Sequence, residues 1–381
     1  MSESHFLPIL MFYLISFIAL TGISPSLNIA LVGIIFGFIF VGFDLFLKIP
    51  SQIYDHLYNL NWLSIPLAIY FSCLARNLIT WEEIQTLWKN TNKKWIAIVI
   101  FISILPINLI FTGLIGGTGT TSNLKNTIYL KKINNIKFDV SFAKISQLIS
   151  VSFIPPSLVL LVIINSIEIN LPQFFSLIIL PAFLYALLCQ IFFFLNNKKF
   201  FIDFVTQTSD VQTEKKRLFV KVLSPYLFLI FFLVFITNNF LSINEILCLG
   251  VLFATALLIF FNKKNLTKSI LLSSYKQTST LCAIIFFSYI SAHFFLGTFR
   301  SLGGDDLVLN LLGKVSNDVN LQVLVILSFI FLFQFLFSWL EVIFVLIPLM
   351  FPILSFLNVD FMWFLILVCF TFHNVSFSTP L

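Results

Sequence analysis

The stretch ISVSFIPPSLVLLVI, Ile149 to Ile163, sets Pro155, Pro156 and Ser157 inside a run that is otherwise as apolar as a lipid tail. A chain crossing lipid must satisfy its backbone internally, so two adjacent residues without N–H groups are tolerated only where the backbone lines a protein-enclosed or wet cavity. The resulting gap is chemically useful. Carbonyl oxygens freed before Pro155 can coordinate a dehydrated cation, and a helix restarting at Ser157 turns its positive end toward an anion. A simple kink is the competing reading, and it suits isolated prolines such as Pro181 and Pro225.

The rest of the chain fits that setting. Its 381 residues are 59% hydrophobic and only 10% charged, with a mean hydropathy of +1.03. A water-soluble chain of this length would need far more polar surface. Roughly ten windows reach the ~20 apolar residues of a membrane-crossing helix. The runs are continuous and do not alternate, which argues against lipid-exposed strands. The expected class is an all-α polytopic membrane protein. Phe, at 50 residues, reads as compositional drift among lipid-facing positions. The net charge of +6 comes from Lys and Arg in short loops, where it serves orientation better than nucleic-acid binding. Cys73, Cys189, Cys248, Cys282 and Cys369 lie singly in or beside apolar runs and read as packing residues. No basic residue precedes the first apolar core, so that segment reads as a retained first span.

Candidate spans run roughly over 6 to 23, 28 to 48, 62 to 79, 96 to 117, 146 to 167, 172 to 195, 219 to 238, 243 to 261, 279 to 299, 321 to 356 and 361 to 379, with an interfacial helix at 49 to 61. If every run crossed, the basic groups flanking 96 to 117 would lie on opposite faces, against the positive-inside rule. A re-entrant hairpin over 96–121 returns all the basic groups to the cytoplasm and puts the N-terminus outside. The segment 321–356 is long enough for a second hairpin, entering from the outer face. Four segments follow: 1–61, N-terminal scaffold spans and interfacial helix; 62–168, a first repeat with hairpin 96–121 and a broken helix at 155–157; 169–278, scaffold spans and cytoplasmic loops; 279–381, a second, inverted repeat with hairpin 321–356. Inverted repeats with broken helices at mid-membrane are the architecture of secondary transporters.

The first hairpin tip, TGLIGGTGTT, carries Gly113, Gly116, Gly117 and Gly119 for close approach, and Thr112, Thr118, Thr120 and Thr121 for hydroxyl oxygens. No GK[ST] follows, so it is not a phosphate loop. The second hairpin holds Gln334, Ser338 and Glu341. Glu341 is the costliest intramembrane group and must face a cavity or a partner, where it either binds a proton or cation or braces the hairpin. His293 and Asn374 read as packing or hydrogen-bonding residues rather than ligands.

Taken in order, NLNWLSIPLAIYF, FTGLIGGTGTT, FIPPSLVLLVI, FRSLGGDDLV, LEVIFVLIPLMFPIL, VDFMWFLILV and SFSTP resemble the large membrane subunit of tripartite ATP-independent periplasmic (TRAP) transporters, the DctM-like permeases, in the branch labelled mannitol/chloroaromatic type. The resemblance covers the chain nearly end to end. It implies an elevator-type, sodium-coupled importer of the inner membrane, taking a small organic acid from a periplasmic binding protein and accompanied by a small membrane subunit. It implies no cofactor and no metal beyond transported Na+. Carried over by position, cation and substrate contacts fall on Thr112, Gly113, Gly116, Thr118, Pro155, Pro156, Ser157, Ser376 and Thr379, and the hairpin reading adds Gly117 and Thr121. The chain departs from the pattern at Leu148 and Ile149, where small residues are usual, and at Gln334 and Ser338, which replace a Gly and an Asp. The second break normally reads Thr-Pro-Pro and continues; here Thr379 and Pro380 precede Leu381, so a truncated C-terminus is expected.

Other classes fit less well. A lipid-modifying transferase wants acids, His or metal ligands gathered at one interface, and Asp305 and Asp306 have no accompanying His. A degenerate, non-transporting subunit is the alternative that the replaced residues favour. A channel would need a ring of charges or a filter-like repeat.

Overall fold

A computed structural model describes residues 6–78, 157–170, 172–185, 187–188, 191, 231–232, 234–238, 240–261, 264–315 and 318–378. The described elements are helical: α1 (Phe6–Ala19), α2 (Pro25–Phe36, continued by a π turn over Gly37–Val41), α3 (Asp44–Leu57), α4 (Ser64–Leu78), α5 (Leu158–Ile167), α6 (Pro172–Tyr185), α7 (Ile243–Phe261), α8 (Lys264–Ser301), α9 (Gly304–Val315), α10 (Val319–Phe333), α11 (Trp339–Phe356) and α12 (Phe361–Ser378). No strand occurs among the described residues. Alongside the apolar composition, this makes the chain a helical membrane protein.

Several ends follow from local chemistry. The Ser242 backbone N–H donates to Glu245 Oε2 (2.7 Å), and the Glu245 N–H donates to Ser242 Oγ (3.4 Å), a reciprocal capping box that opens α7. Asp360 Oδ1 accepts from the N–H groups of Met362 (2.8 Å) and Trp363 (3.2 Å) at the start of α12. The span expected over 28 to 48 stops earlier. After the π turn, Gly42 takes φ +101° and a separate amphipathic helix, α3, begins at Asp44. The interfacial helix expected at 49 to 61 is this element, shifted toward the N-terminus because Gly42 supplies the left-handed turn that ends α2.

The chain divides into two compact units, one of Met1–Trp62, Val162–Glu168 and Thr280–Leu381, the other of Leu63–Leu161 and Ile169–Ser279. In the second, α4 packs along α7, whose buried residues Ile243, Leu247, Gly250, Ala254, Leu258 and Phe261 recur at helical spacing. The opposite side of α7 leaves Leu249, Leu252, Ile259 and Phe260 exposed, as suits a face meeting lipid acyl chains.

The first unit contains the segment expected as a second hairpin. Here α2 and α8 run parallel in close contact: Ser26 meets Ser288, Gly33 lies against Phe295, and Gly37 lies against Thr298. A Cβ at Gly33 would sit 2.7 Å from the Phe295 backbone nitrogen, so only glycine permits this approach. The Thr298 hydroxyl then donates to the Gly33 carbonyl (2.9 Å). Gly33 and Gly37 form a G-x-x-x-G pair, the sequence form of such a crossing. Phe12 of α1 packs edge-on against Phe295, Phe299, Phe329 and Phe333, with ring centroids 5.2 to 6.4 Å apart. Part of the phenylalanine content is therefore core, which the reading as lipid-facing drift overlooked.

Candidate functional site

The segment expected as a second hairpin is a helix, a break and a helix. α10 ends at Phe333, residues 334–338 are non-helical turn, and α11 resumes at Trp339. At 1.5 Å per residue, the 15-residue α10 is roughly 22 Å long, short of a ~30 Å hydrocarbon core. A π turn over Val342–Leu346 leads into Pro348, which has no N–H to give the preceding turn. Pro352 likewise leaves the Pro348 carbonyl without its helical donor, and Arg300 Nη2 fills that role at 2.7 Å. The same guanidinium lies 3.6 Å from Asp305 Oδ2.

The break collects the polar groups that sequence reasoning singled out in this hairpin. Gln334, 6% exposed, donates through Nε2 to Thr371 Oγ1 (2.9 Å), and Thr371 donates onward to the Val368 carbonyl (2.7 Å). Because the Thr371 hydrogen is used, the amide orientation is fixed. Among the described residues Gln334 Oε1 is left as a buried acceptor with no hydrogen-bond partner, at the C-terminal end of α10. Glu341 is 3% exposed. Its Oε1 accepts from Ser26 Oγ of α2 (2.7 Å), its Oε2 accepts from Ser338 Oγ, and Ser26 Oγ is also 2.7 Å from Ser288 Oγ of α8.

Ser26 and Ser288 were missed from sequence. Their signals were faint: Ser26 opens an apolar helix, and Ser288 shares a small-residue stripe with Ser291 and Ala292 inside a span. His293 packs on Tyr289, with ring centroids 4.3 Å apart, as a packing residue would, although its Nε2 has no hydrogen-bond partner among the described residues. Among the described residues, no three His, Cys, Asp or Glu side chains converge as for a metal ion.

Ser157 belongs to the other unit, fully buried and directly before the first residue of α5, so a helix does start where the Pro-Pro-Ser break expects one. Thr112, Gly113, Gly116, Gly117, Thr118 and Thr121, and with them hairpin 96–121, lie outside the described residues, as do Pro155, Pro156 and Thr379. Ser376 lies in α12, with its side chain, like that of Asn374, outside the described set.

Interrupted apolar helices with buried polar groups at the interruption are a feature that transporters use. The family model described as "Tripartite ATP-independent periplasmic transporter, DctM component" matches residues 148–380. That is more than half of the chain, and the chain belongs to this family. It is therefore a large permease subunit for solute transport, in a transporter family rather than an enzyme family. Membership implies a small membrane subunit and a periplasmic binding protein as partners. A search of curated proteins finds no match.

Proposed function

We propose that this chain is the sodium-coupled, elevator-type permease, of the mannitol/chloroaromatic-type branch, of a tripartite importer in the inner membrane, with its N-terminus periplasmic, moving a small organic acid. The observation that carries the reading is the break at 334–338, where a helix too short to cross lipid ends beside a buried acceptor, Gln334 Oε1, that lacks a donor. An acceptor at a negative helix end favours a cation. In the other unit, the start of α5 immediately after Ser157 supports a role for the first break on its own terms, since a helix N-terminus suits a carboxylate. Coupling is expected to use both breaks, with Thr112, Gly113, Gly116, Gly117, Thr118 and Thr121 at the first tip, Pro155 to Ser157 at the first break, and Ser376 and Thr379 at the end of the second repeat.

The test is uptake into proteoliposomes holding this chain and its small subunit, with the binding protein added outside. A sodium gradient should drive uptake only when all three are present, and Thr118→Ala or Pro156→Ala should lower it severalfold. Uptake that ignores the sodium gradient would refute the coupling, and full activity in both variants would refute the site.

A further inference from the structure

Two S-x-x-E sequences open helices in this chain, Ser242–Glu245 and Ser338–Glu341, and the structure uses them differently. The first is an ordinary capping box: Glu245 is exposed and accepts from the Ser242 backbone N–H. In the second, the Ser338 hydroxyl makes no capping bond to the backbone. Glu341 instead takes hydroxyls at both carboxyl oxygens, one from Ser338 and one from Ser26 on a different helix. Ser288, from a third helix, extends the chain of oxygens. If capping were the role, a carboxyl on the surface would serve, as it does at Glu245. Burying it to 3% exposure brings a desolvation cost that capping does not require.

We propose that Glu341, with Ser26, Ser288 and Ser338, is a proton-binding site that joins the second hairpin to α2 and α8. The oxygens stand in direct hydrogen-bond contact, 2.7 Å from Ser26 to Glu341 and 2.7 Å from Ser26 to Ser288. Oxygens that close leave no space for a metal cation between them, whereas a proton needs none. The residue types suit both states of the site. With Glu341 ionised, Ser288 donates to Ser26, and Ser26 and Ser338 donate to the carboxylate. One proton added from water to Oε1 reverses the chain: the new O–H donates to Ser26, Ser26 donates to Ser288, and Ser288 turns its hydrogen toward a carbonyl of its own helix. No heavy atom has to move, and no other bond forms or breaks.

Little else charged competes for the site. α2, α10 and the hairpin outside Glu341 carry no titratable residue. On α8, Tyr289 packs against Trp62, Phe344 and His293, and Arg300 is engaged with Pro348 and Asp305. α9, which packs on α11, brings Asp305, Asp306 and Lys314. Among the described residues, Glu341 has no cation at ion-pair distance. Hydroxyls both donate and accept, so the site holds hydrogen-bond partners for the ionised and the protonated carboxyl alike. The proposal concerns this chain alone, so loss of sodium-driven uptake would leave it standing.

The test is infrared spectroscopy of the full chain in lipid nanodiscs, titrated from mildly alkaline to mildly acidic pH. A protonated-carboxyl C=O band should grow on acidification and be absent in Glu341→Gln. In Ser26→Ala, which removes the hydroxyl that would accept from the protonated Oε1, the frequency of that band should shift upward from its wild-type position. Identical titrating bands in the wild type and Glu341→Gln would overturn the proposal and leave Glu341 a fixed brace. Should Glu341→Gln fail to fold, a band of unchanged frequency in a folded Ser26→Ala would overturn it equally.

Discussion

Replacing Gly33 with Ala tests whether the α2–α8 crossing holds the first unit together. The added Cβ would lie 2.7 and 2.8 Å from the nitrogen and Cα of Phe295 and 2.9 Å from the carbonyl carbon of Phe294. All three are backbone atoms, so no rotamer change relieves the clash. To restore an ordinary contact of at least 3.4 Å the helices must part by roughly 0.7 Å. Such a shift carries the 2.9 Å bond from Thr298 to the Gly33 carbonyl to roughly 3.6 Å, beyond hydrogen-bonding range. The lost bond costs about 0.5–1.5 kcal/mol and the strained packing about 1–3 kcal/mol, while Ala gains back about 1 kcal/mol of helix propensity. The net expectation is a destabilisation of roughly 0.5–3.5 kcal/mol, read as a lower thermal unfolding midpoint of the purified chain in detergent. Gly313→Ala is the internal control. Its Cβ meets nothing within 4 Å on an exposed face of α9, so the same propensity term should raise the midpoint slightly. A Gly33→Ala protein as stable as the wild type would refute the close crossing.

Other outcomes follow from single contacts. Asn28 is fully buried and donates through Nδ2 to the Ile15 carbonyl (2.5 Å), tying α2 to α1, so Asn28→Ala should cost about 1–2 kcal/mol by the same thermal assay. Arg300→Ala should cost about 1 kcal/mol by leaving the Pro348 carbonyl without its donor, and Arg300→Lys should recover only part, because one ammonium cannot hold that carbonyl and Asp305 in the same forked geometry. Burial already raises the Asp305 carboxyl above its usual range against the opposing pull of Arg300, so in Arg300→Ala an NMR titration of that carboxyl should move further upward. Single cysteines at Asn92 and Asn134 in a cysteine-free background should both label only from the cytoplasm; labelling from opposite faces would remove the first re-entrant hairpin.

Much of the architecture was legible because membranes impose a strong rule on sequence: every crossing helix must be a long apolar run. The expected limits 243 to 261 coincide with α7, and the run 361 to 379 is α12 to within a residue. The run from 321 to 356 was legible as too long for one helix, and Gln334 and Ser338 stand in the non-helical turn that divides it. Helix ends set by side-chain caps, as at Ser242 and Asp360, are local and can be read directly. The end of α2 was less accessible, since apolar residues continue past Gly42 and only its positive φ separates the two helices.

The polar site divides along the same line. Glu341 announced itself in sequence because an ionisable group in an apolar run is costly wherever it points. Its partners did not, because Ser26 and Ser288 lie 315 and 53 residues away, and hydroxyls are common in membrane helices at no great cost. The sequence by itself determined the class of this protein and most of its described helices, since each depends on apolar length or on caps acting within a few residues. Only the tertiary structure decided that Glu341 meets two serines from distant helices. That meeting depends on the parallel register of α2 against α8, which the absence of a side chain at Gly33 permits and no local pattern encodes.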